Sequence, residues 1–210
     1  MVVRGKVYVP GDAATTTENV IANSGLVRIG VVADLIQATV LLFLGMALYL
    51  LLKHVNENVG QAMVVFVAIA TTIICLNMVF QFTALLVATG GTDVAALGPE
   101  GTDALVLLLL DIQHYGYLIA QIFTGLWLIP LGYLAYMSGM FPKWLGVLLI
   151  VGGVFYLIDL LAWFLVPDVA ETISDFVVIV PSVAEISMIL YLLIKGVKAP
   201  KQAEQTSTST

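Results

Sequence analysis

Six ionisable side chains lie within long apolar stretches of this 210-residue sequence, and they are the groups that could do chemistry. They are Arg28, Asp34, Asp111, His114, Asp159 and Glu185. A charged group at the centre of a bilayer costs about 2.5–3.5 kcal/mol on insertion scales, so each one inside a span indicates a function by default. Carboxylates and a histidine together can bind a cation, a proton or a small polar molecule.

Amide side chains accompany these groups, and several share a helical face with them. The amides are Gln37, Asn77, Gln81, Gln113 and Gln121. Residues three or four apart lie on one side of a helix. Asp111, His114 and Gln121 therefore share a face, because His114 follows Asp111 by three residues and Gln121 follows it by ten. Asn77 and Gln81, four residues apart, share another.

The composition requires that membrane helices carry these groups. Apolar residues make up 60% of the chain and charged residues only 10%, whereas soluble domains have roughly 45–50% and 25%. A helix crosses the hydrocarbon with about 20 residues, and five apolar stretches are that long. They cover about 26–52, 60–87, 104–136, 144–166 and 173–194. They lack the strict alternation of membrane β-strands, so we predict an all-α polytopic bundle of five spans over residues 25–197.

The third span is longer than a crossing needs, which favours a tilt or a break near Tyr115 and Gly116. Gly125 and Gly132 would let another helix approach closely. Gly139 and Gly146, which continue the same seven-residue spacing, flank the turn at Pro142 and need no packing role.

The segments outside the spans are polar. Residues 1–24 contain the turn sequence Pro10-Gly11-Asp12, and we predict an extracytoplasmic segment with a short helix around 17–22. Residues 198–210 have little apolar surface to bury, so we predict a disordered cytoplasmic tail.

Lysines in the short loops predict the orientation, because cytoplasmic loops carry the excess of Lys and Arg. The lysines that fall on one side are Lys53, Lys143, Lys195, Lys198 and Lys201. The loops at 88–103 and 167–172 have acidic residues and no Lys or Arg. We therefore predict a multi-pass protein of the cytoplasmic membrane with the N-terminus outside and the C-terminus inside. Arg4, Lys6 and Arg28 do not fit this pattern.

The polar groups concentrate in the outer half of the bundle. At 1.5 Å per residue, Asp34 lies about 12 Å inside the outer end of the first span, with Gln37 on the same face. Asp159 lies near the outer end of the fourth span, and Glu185 about midway along the fifth. We predict that these side chains converge on an outward-facing polar pocket.

Three functions remain open for this pocket. In the leading interpretation it binds a small polar molecule or cation, as in a transporter or sensor. In the second, an intramembrane enzyme uses the histidine and carboxylates, with or without a metal. In the third the protein is a structural partner of another membrane protein. A separate, structural interpretation of the same polar groups is that Arg28 pairs with Asp34, Asp111 or Asp159 and that the amides cross-link helices.

Other functions are excluded or lack a motif. The net charge of −6 argues against nucleic-acid binding, which needs clustered Lys and Arg. No phosphate-binding glycine loop, nucleophile elbow or HExxH zinc motif is present, and no motif specifies a cofactor or an oligomeric state. Cys75 is the single cysteine, so no intrachain disulfide forms.

Three stretches resemble one bacterial membrane family. They are VPGDAATTTENVIANSGLVRIGVVADLI, LDIQHYGYLIAQIFTGLWLIPLGYLAYMSGMFPKWLGVLLIVGGVFYLID and the late pattern PxxxEIxxxxYLLIKG. Together they span about Val7 to Val197 and are similar to the family called domain of unknown function 4386. The family pattern has six spans, and this sequence lacks the first apolar helix, which precedes VPGDA. The resemblance implies the fold and a membrane location but assigns no function.

Overall fold

The computed structural model describes residues 3–196, apart from the side chains at 169, 171 and 175, and is all-α. Within those residues there is no β-strand. The helices are α1 Arg4–Val7, α2 Ala13–Ala22, α3 Ser24–Leu52, α4 Glu57–Ala88, α5 Gly98–Ser138, α6 Lys143–Leu165, α7 Pro167–Val177 and α8 Ile179–Ile194, with a 3₁₀ turn at Ala95–Leu97 before α5. The predicted tail at 198–210 lies outside the described residues.

Five helical segments are long and apolar enough to cross a membrane, which confirms the predicted number of spans. They are Ser24–Leu52, Glu57–Ala88, Ala95–Ser138, Lys143–Leu165 and Thr172–Ile194. Large apolar side chains point outward along them: Ile29 is 68% exposed, Phe43 64% and Leu193 76%. Five such spans with apolar side chains turned outward make the chain a multi-pass membrane protein.

The third span is one continuous helix. α5 has 41 residues, about 60 Å at 1.5 Å per residue, which exceeds the roughly 30 Å of the hydrocarbon core. It passes unbroken through Tyr115 and Gly116, so of the two predicted alternatives the break is wrong and the tilt stays a prediction. Pro130 lies inside it, as membrane helices tolerate, and Gly139 with φ of 65° ends it.

The described chain forms two compact units. Unit 1 consists of the residues up to Leu48 together with Val64–Thr124, and unit 2 consists of Tyr49–Met63 together with the residues from Gly125 onward. Unit 1 thus holds α1, α2, most of α3 and α4 and the first part of α5.

The N-terminal segment is packed into unit 1 rather than extended into solvent. Gly11 turns the chain with φ of 73°, as the turn sequence predicted. Asp12 then caps α2 by accepting from the Thr15 backbone N–H at 2.9 Å and from its hydroxyl at 2.7 Å. The core that the segment joins consists of Val7, Val20, Val27, Ala84, Leu85, Val87, Val106 and Leu110.

Paired glycines hold α5 against α6 in unit 2. A β-carbon at Gly132 would lie 2.5 Å from the carbonyl oxygen of Gly146, and one at Gly153 would lie 2.6 Å from that of Gly125. Glycine is needed at these positions because the two backbones touch. The prediction that Gly146 has no packing role is therefore wrong, since Gly132 and Gly146 face each other.

Candidate functional site

The ten predicted site residues divide between the two units. Unit 1 contains Arg28, Asp34, Gln37, Asn77, Gln81, Asp111, His114 and Gln121, and unit 2 contains Asp159 and Glu185. The convergence of Asp159 with the unit 1 groups stays a prediction.

A crevice inside unit 1 brings polar groups of two spans together. It is lined by Asp34, Gln37, Ala38, Leu41, Ile74 and Tyr117. Asp34 and Gln37 come from one face of α3, as their spacing predicted, and Tyr117 comes from α5. The cavity volume is about 10 Å³, close to the smallest space that holds one water molecule. Of the three polar residues in the lining, Asp34 and Tyr117 are half-buried and Gln37 is exposed, and the space that they line is about the size of one water molecule.

A larger groove on α3 is apolar. It measures about 280 Å³ and is lined by Val32, Leu35, Ile36, Thr39 and Val40. Four of these five side chains are aliphatic and lie on the outward face of one helix. The groove is therefore part of the lipid-facing surface and offers no polar group for chemistry beyond one threonine hydroxyl.

Asn77 is buried in unit 1 against a glycine. Its side chain is 3% exposed, and its Nδ2 has no hydrogen-bond partner among the described residues. A β-carbon at Gly116 would lie 2.8 Å from both Cγ and Nδ2 of Asn77, and closer still to Oδ1. Gly116 thus makes the space for this amide. Gln81, one turn further along α4, is also buried at 8% exposure.

The N-terminal segment contributes two groups that sequence reasoning missed. The Tyr8 hydroxyl donates to Oδ1 of Asp111 at 2.6 Å, and Nη1 of Arg4 donates to the backbone carbonyl of Leu110 at 2.9 Å. The Arg4 guanidinium carbon also lies 3.7 Å from the centre of the Tyr8 ring. The sequence did contain a signal for Arg4: it is a cation on the outer side, where the orientation rule predicts no positive charge.

His114 lies within electrostatic reach of both Arg4 and Asp111, so these groups form one polar cluster with Tyr8. Burial lowers the pKa of Arg4 below its usual value, and the nearby Tyr8 and Asp111 oppose that shift. Burial, and then the hydrogen bond to Asp111, raise the pKa of Tyr8 above its usual 10.0. Tyr8 therefore remains a protonated hydrogen-bond donor at neutral pH.

Arg28 does not join this cluster. Its side chain is exposed, with the guanidinium carbon 6.0 Å from the centre of the Phe82 ring. Among residues 3–196, no salt bridge joins it to Asp34 or Asp111. Those two pairings of the structural interpretation are absent from unit 1.

The remaining candidates are two buried side chains, Gln121 and Asp159, and the half-buried Glu185. Gln121 is 5% exposed on α5 in unit 1, and Asp159 is 1% exposed on α6 in unit 2. The Tyr156 hydroxyl donates to Oε1 of Glu185 at 3.2 Å, which links α6 to α8. Across the part of the chain that the structure describes, no three His, Cys, Asp or Glu side chains lie close enough together to hold a metal ion.

Comparison with known proteins assigns the family. The family model described as Domain of unknown function (DUF4386) matches residues 1–196. A similar protein from Archaeoglobus fulgidus, described as uncharacterized, is 32% identical over 117 residues. The aligned part covers 54% of this chain and 54% of that protein, so the match spans about half the length of the relative. No solved structure matches. With a match over nearly its whole length, this chain belongs to the membrane family Domain of unknown function (DUF4386).

Proposed function

We propose that this protein binds a monovalent cation or a proton inside the membrane, at the crevice lined by Asp34, Gln37 and Tyr117, as a transporter or a sensor would. The observation that carries the proposal is the crevice itself, where residues with a carboxylate, an amide and a phenol, from two spans, line one small space.

The volume of the crevice limits the size of what it can bind. Pockets for small organic ligands measure about 300–1,000 Å³, whereas this one measures about 10 Å³. That volume favours a single ion or a protonated water over a metabolite. The proposal is therefore narrower than the small polar molecule or cation expected from the sequence.

The single carboxylate in the lining determines the charge of the bound ion. The lining contains one carboxylate, that of Asp34, and the space of about 10 Å³ has no room for the several water molecules that Mg²⁺ usually keeps. A carboxylate within a span is costly while it stays ionised and uncompensated. A single positive charge, carried by a proton or an alkali cation, neutralises Asp34 without a larger ligand set.

We further propose that the membrane is the cytoplasmic one and that the N-terminal ends of α3 and α5 face outward. The support is the charge of the connections. Lys53 follows α3 and Lys143 begins α6, whereas the connection from 89 to 97 carries Asp93 and no Lys or Arg. Positive connections stay in the cytoplasm.

The proposal is tested by cation-dependent stability of the purified protein in detergent. The unfolding midpoint is measured by tryptophan fluorescence in Na⁺, Li⁺ or K⁺ chloride, with choline chloride at equal ionic strength as reference. An occupant at 100 times its Kd stabilises the folded state by about 2.7 kcal/mol. At about 2–4 °C per kcal/mol for a chain of this size, the midpoint rises by roughly 5–11 °C. If the occupant is a proton, the midpoint in choline rises as the pH falls from about 8 to about 5.5.

Two variants on carboxylates separate the site from general salt effects. Asp34→Asn is expected to abolish the response. Asp93→Asn, at an exposed position whose amide can still accept from the Ala95 N–H, is expected to keep it. The proposal is contradicted if the wild-type midpoint follows neither cation nor pH, or if Asp34→Asn responds as the wild type does.

A further inference from the structure

We propose that residues 3–8, which we name the cap, close the mouth of the crevice and that the bond from Tyr8 to Asp111 is the latch that holds them shut. This inference rests on the proposed function, because it concerns access to the same crevice. Its evidence is the path of the cap across unit 1.

The cap reaches from one helix of the crevice to the other. At one end Val3 packs against α3 so closely that a β-carbon at Gly30 would lie 2.7 Å from its Cγ2. At the other end Arg4 and Tyr8 bond to Leu110 and Asp111 of α5. The cap therefore bridges the two helices that supply the polar lining.

The crevice lies just beneath this bridge. Asp34 is four residues beyond Gly30 on α3, about 6 Å further along the helix, and Tyr117 is six residues beyond Asp111 on α5, about 9 Å further along. Because α3 and α5 enter unit 1 from the same end, both lining groups lie below the cap. A cation that enters from this end meets the cap first.

Tertiary contacts, and not its own short helix, keep the cap in place. α1 is four residues long, and a helix this short is not stable without its tertiary contacts. Val7 fills the adjacent core at 3% exposure. Beyond the cap, the chain is pinned where Val9 N–H donates to the Thr16 hydroxyl at 3.0 Å and that hydroxyl donates back to the Val9 carbonyl at 3.1 Å. The chain just after the cap is therefore held to α2 by bonds that do not involve residues 3–8.

The latch couples opening to the arrival of a cation. The Tyr8 hydroxyl donates to a carboxylate at 2.6 Å, a short distance typical of charge-assisted hydrogen bonds. Arg4 and His114 also interact electrostatically with Asp111. An entering cation competes with Tyr8 for the Asp111 carboxylate, and its binding there releases the cap.

The accessibility of position 114 tests the cap. His114 lies one turn below Asp111 on the same face of α5, so His114→Cys in a Cys75→Ser background reports on the mouth. The labelling rate by a cationic, membrane-impermeant methanethiosulfonate is measured with and without Tyr8→Phe. A hydrogen bond to a charged group favours the closed state by about tenfold to a hundredfold, so Tyr8→Phe is expected to raise the rate at least about tenfold.

Tyr49→Phe is the matched control, because it removes a weaker 3.4 Å bond to Glu57 in unit 2. The proposal that the cap closes the crevice is refuted if Tyr8→Phe and Tyr49→Phe give labelling rates at position 114 within twofold of each other. Hydrogen–deuterium exchange of residues 3–9 tests the latch without any new cysteine, and Tyr8→Phe is expected to raise exchange there while α4 stays protected. If exchange of residues 3–9 is the same in Tyr8→Phe as in the wild type, the bond from Tyr8 to Asp111 is not the latch.

The two proposals fail separately. Labelling and exchange need no bound ion, so an unchanged labelling rate with an intact Na⁺ or pH response refutes the cap alone. A missing cation and pH response with a Tyr8-dependent labelling rate refutes the crevice as a binding site.

Discussion

Alanine at position 116 is the sharpest probe of the buried polar packing in unit 1. An alanine β-carbon would lie 2.8 Å from Cγ and Nδ2 of Asn77, which is 0.6 Å short of the 3.4 Å at which ordinary contact begins. Because Asn77 is 3% exposed, its amide has little open space to move into. Either the amide rotates off its preferred rotamer or α4 and α5 move apart.

The expected magnitude follows from two opposing effects. Overpacking of a tight core costs about 1–3 kcal/mol, and replacing glycine by alanine within a helix returns about 0.8–1.0 kcal/mol. Gly116→Ala alone is thus expected to lower the free energy of unfolding by up to about 2 kcal/mol. With Asn77→Ala the obstruction disappears, so Gly116→Ala becomes stabilising in that background, and the coupling energy is about 1–3 kcal/mol.

Equilibrium unfolding of the four proteins in mixed detergent and denaturing detergent gives this coupling energy. Gly25→Ala is the control, because a β-carbon there meets nothing within 4 Å, and it is expected to be neutral or stabilising. Additive effects of Gly116→Ala and Asn77→Ala, or equal effects of Gly116→Ala and Gly25→Ala, would refute the packing argument.

Two further predictions concern α2 and the orientation. The hydrogen bonds from Thr15 lower the pKa of Asp12 below its usual 3.8, so its stabilisation of α2 is present above that value and is lost as the pH falls through the lowered one. Amide exchange in the first turn of α2, corrected for intrinsic rates, should rise at low pH and in Asp12→Ala. Exchange that changes neither with pH nor in Asp12→Ala would contradict the assignment of Asp12 as the N-terminal cap of α2. In intact cells with Cys75→Ser, an impermeant maleimide should label Asp93→Cys but not Lys53→Cys, and the opposite pattern would reverse the orientation.

The helical spans were predictable because length and composition alone decide them. An apolar run of about 20 residues must satisfy its backbone internally in lipid, which leaves the helix as its structure. The starting points were less predictable: α5 begins at Gly98, whereas the third span was expected from 104. Its first residues are polar and helical, so hydropathy does not mark them.

Part of the candidate site was also predictable from local spacing. Asp34 and Gln37 line one crevice because residues three apart share a helical face. The contact of Tyr8 with Asp111 joins residues 103 positions apart, and no periodicity contains that information. The same holds for Gly116 against Asn77 and for Gly146 against Gly132, where the need for glycine arises from the neighbouring helix.

The central claim is that the Asp34 carboxylate itself takes up the cation or proton. Infrared difference spectroscopy of the purified protein measures this directly, by exchanging choline for Na⁺ or by lowering the pH and following the carboxyl bands. We expect a carboxylate or carboxylic-acid difference band in the wild type and in Asp93→Asn that is absent in Asp34→Asn. A difference spectrum that is the same in Asp34→Asn and in the wild type would contradict the account.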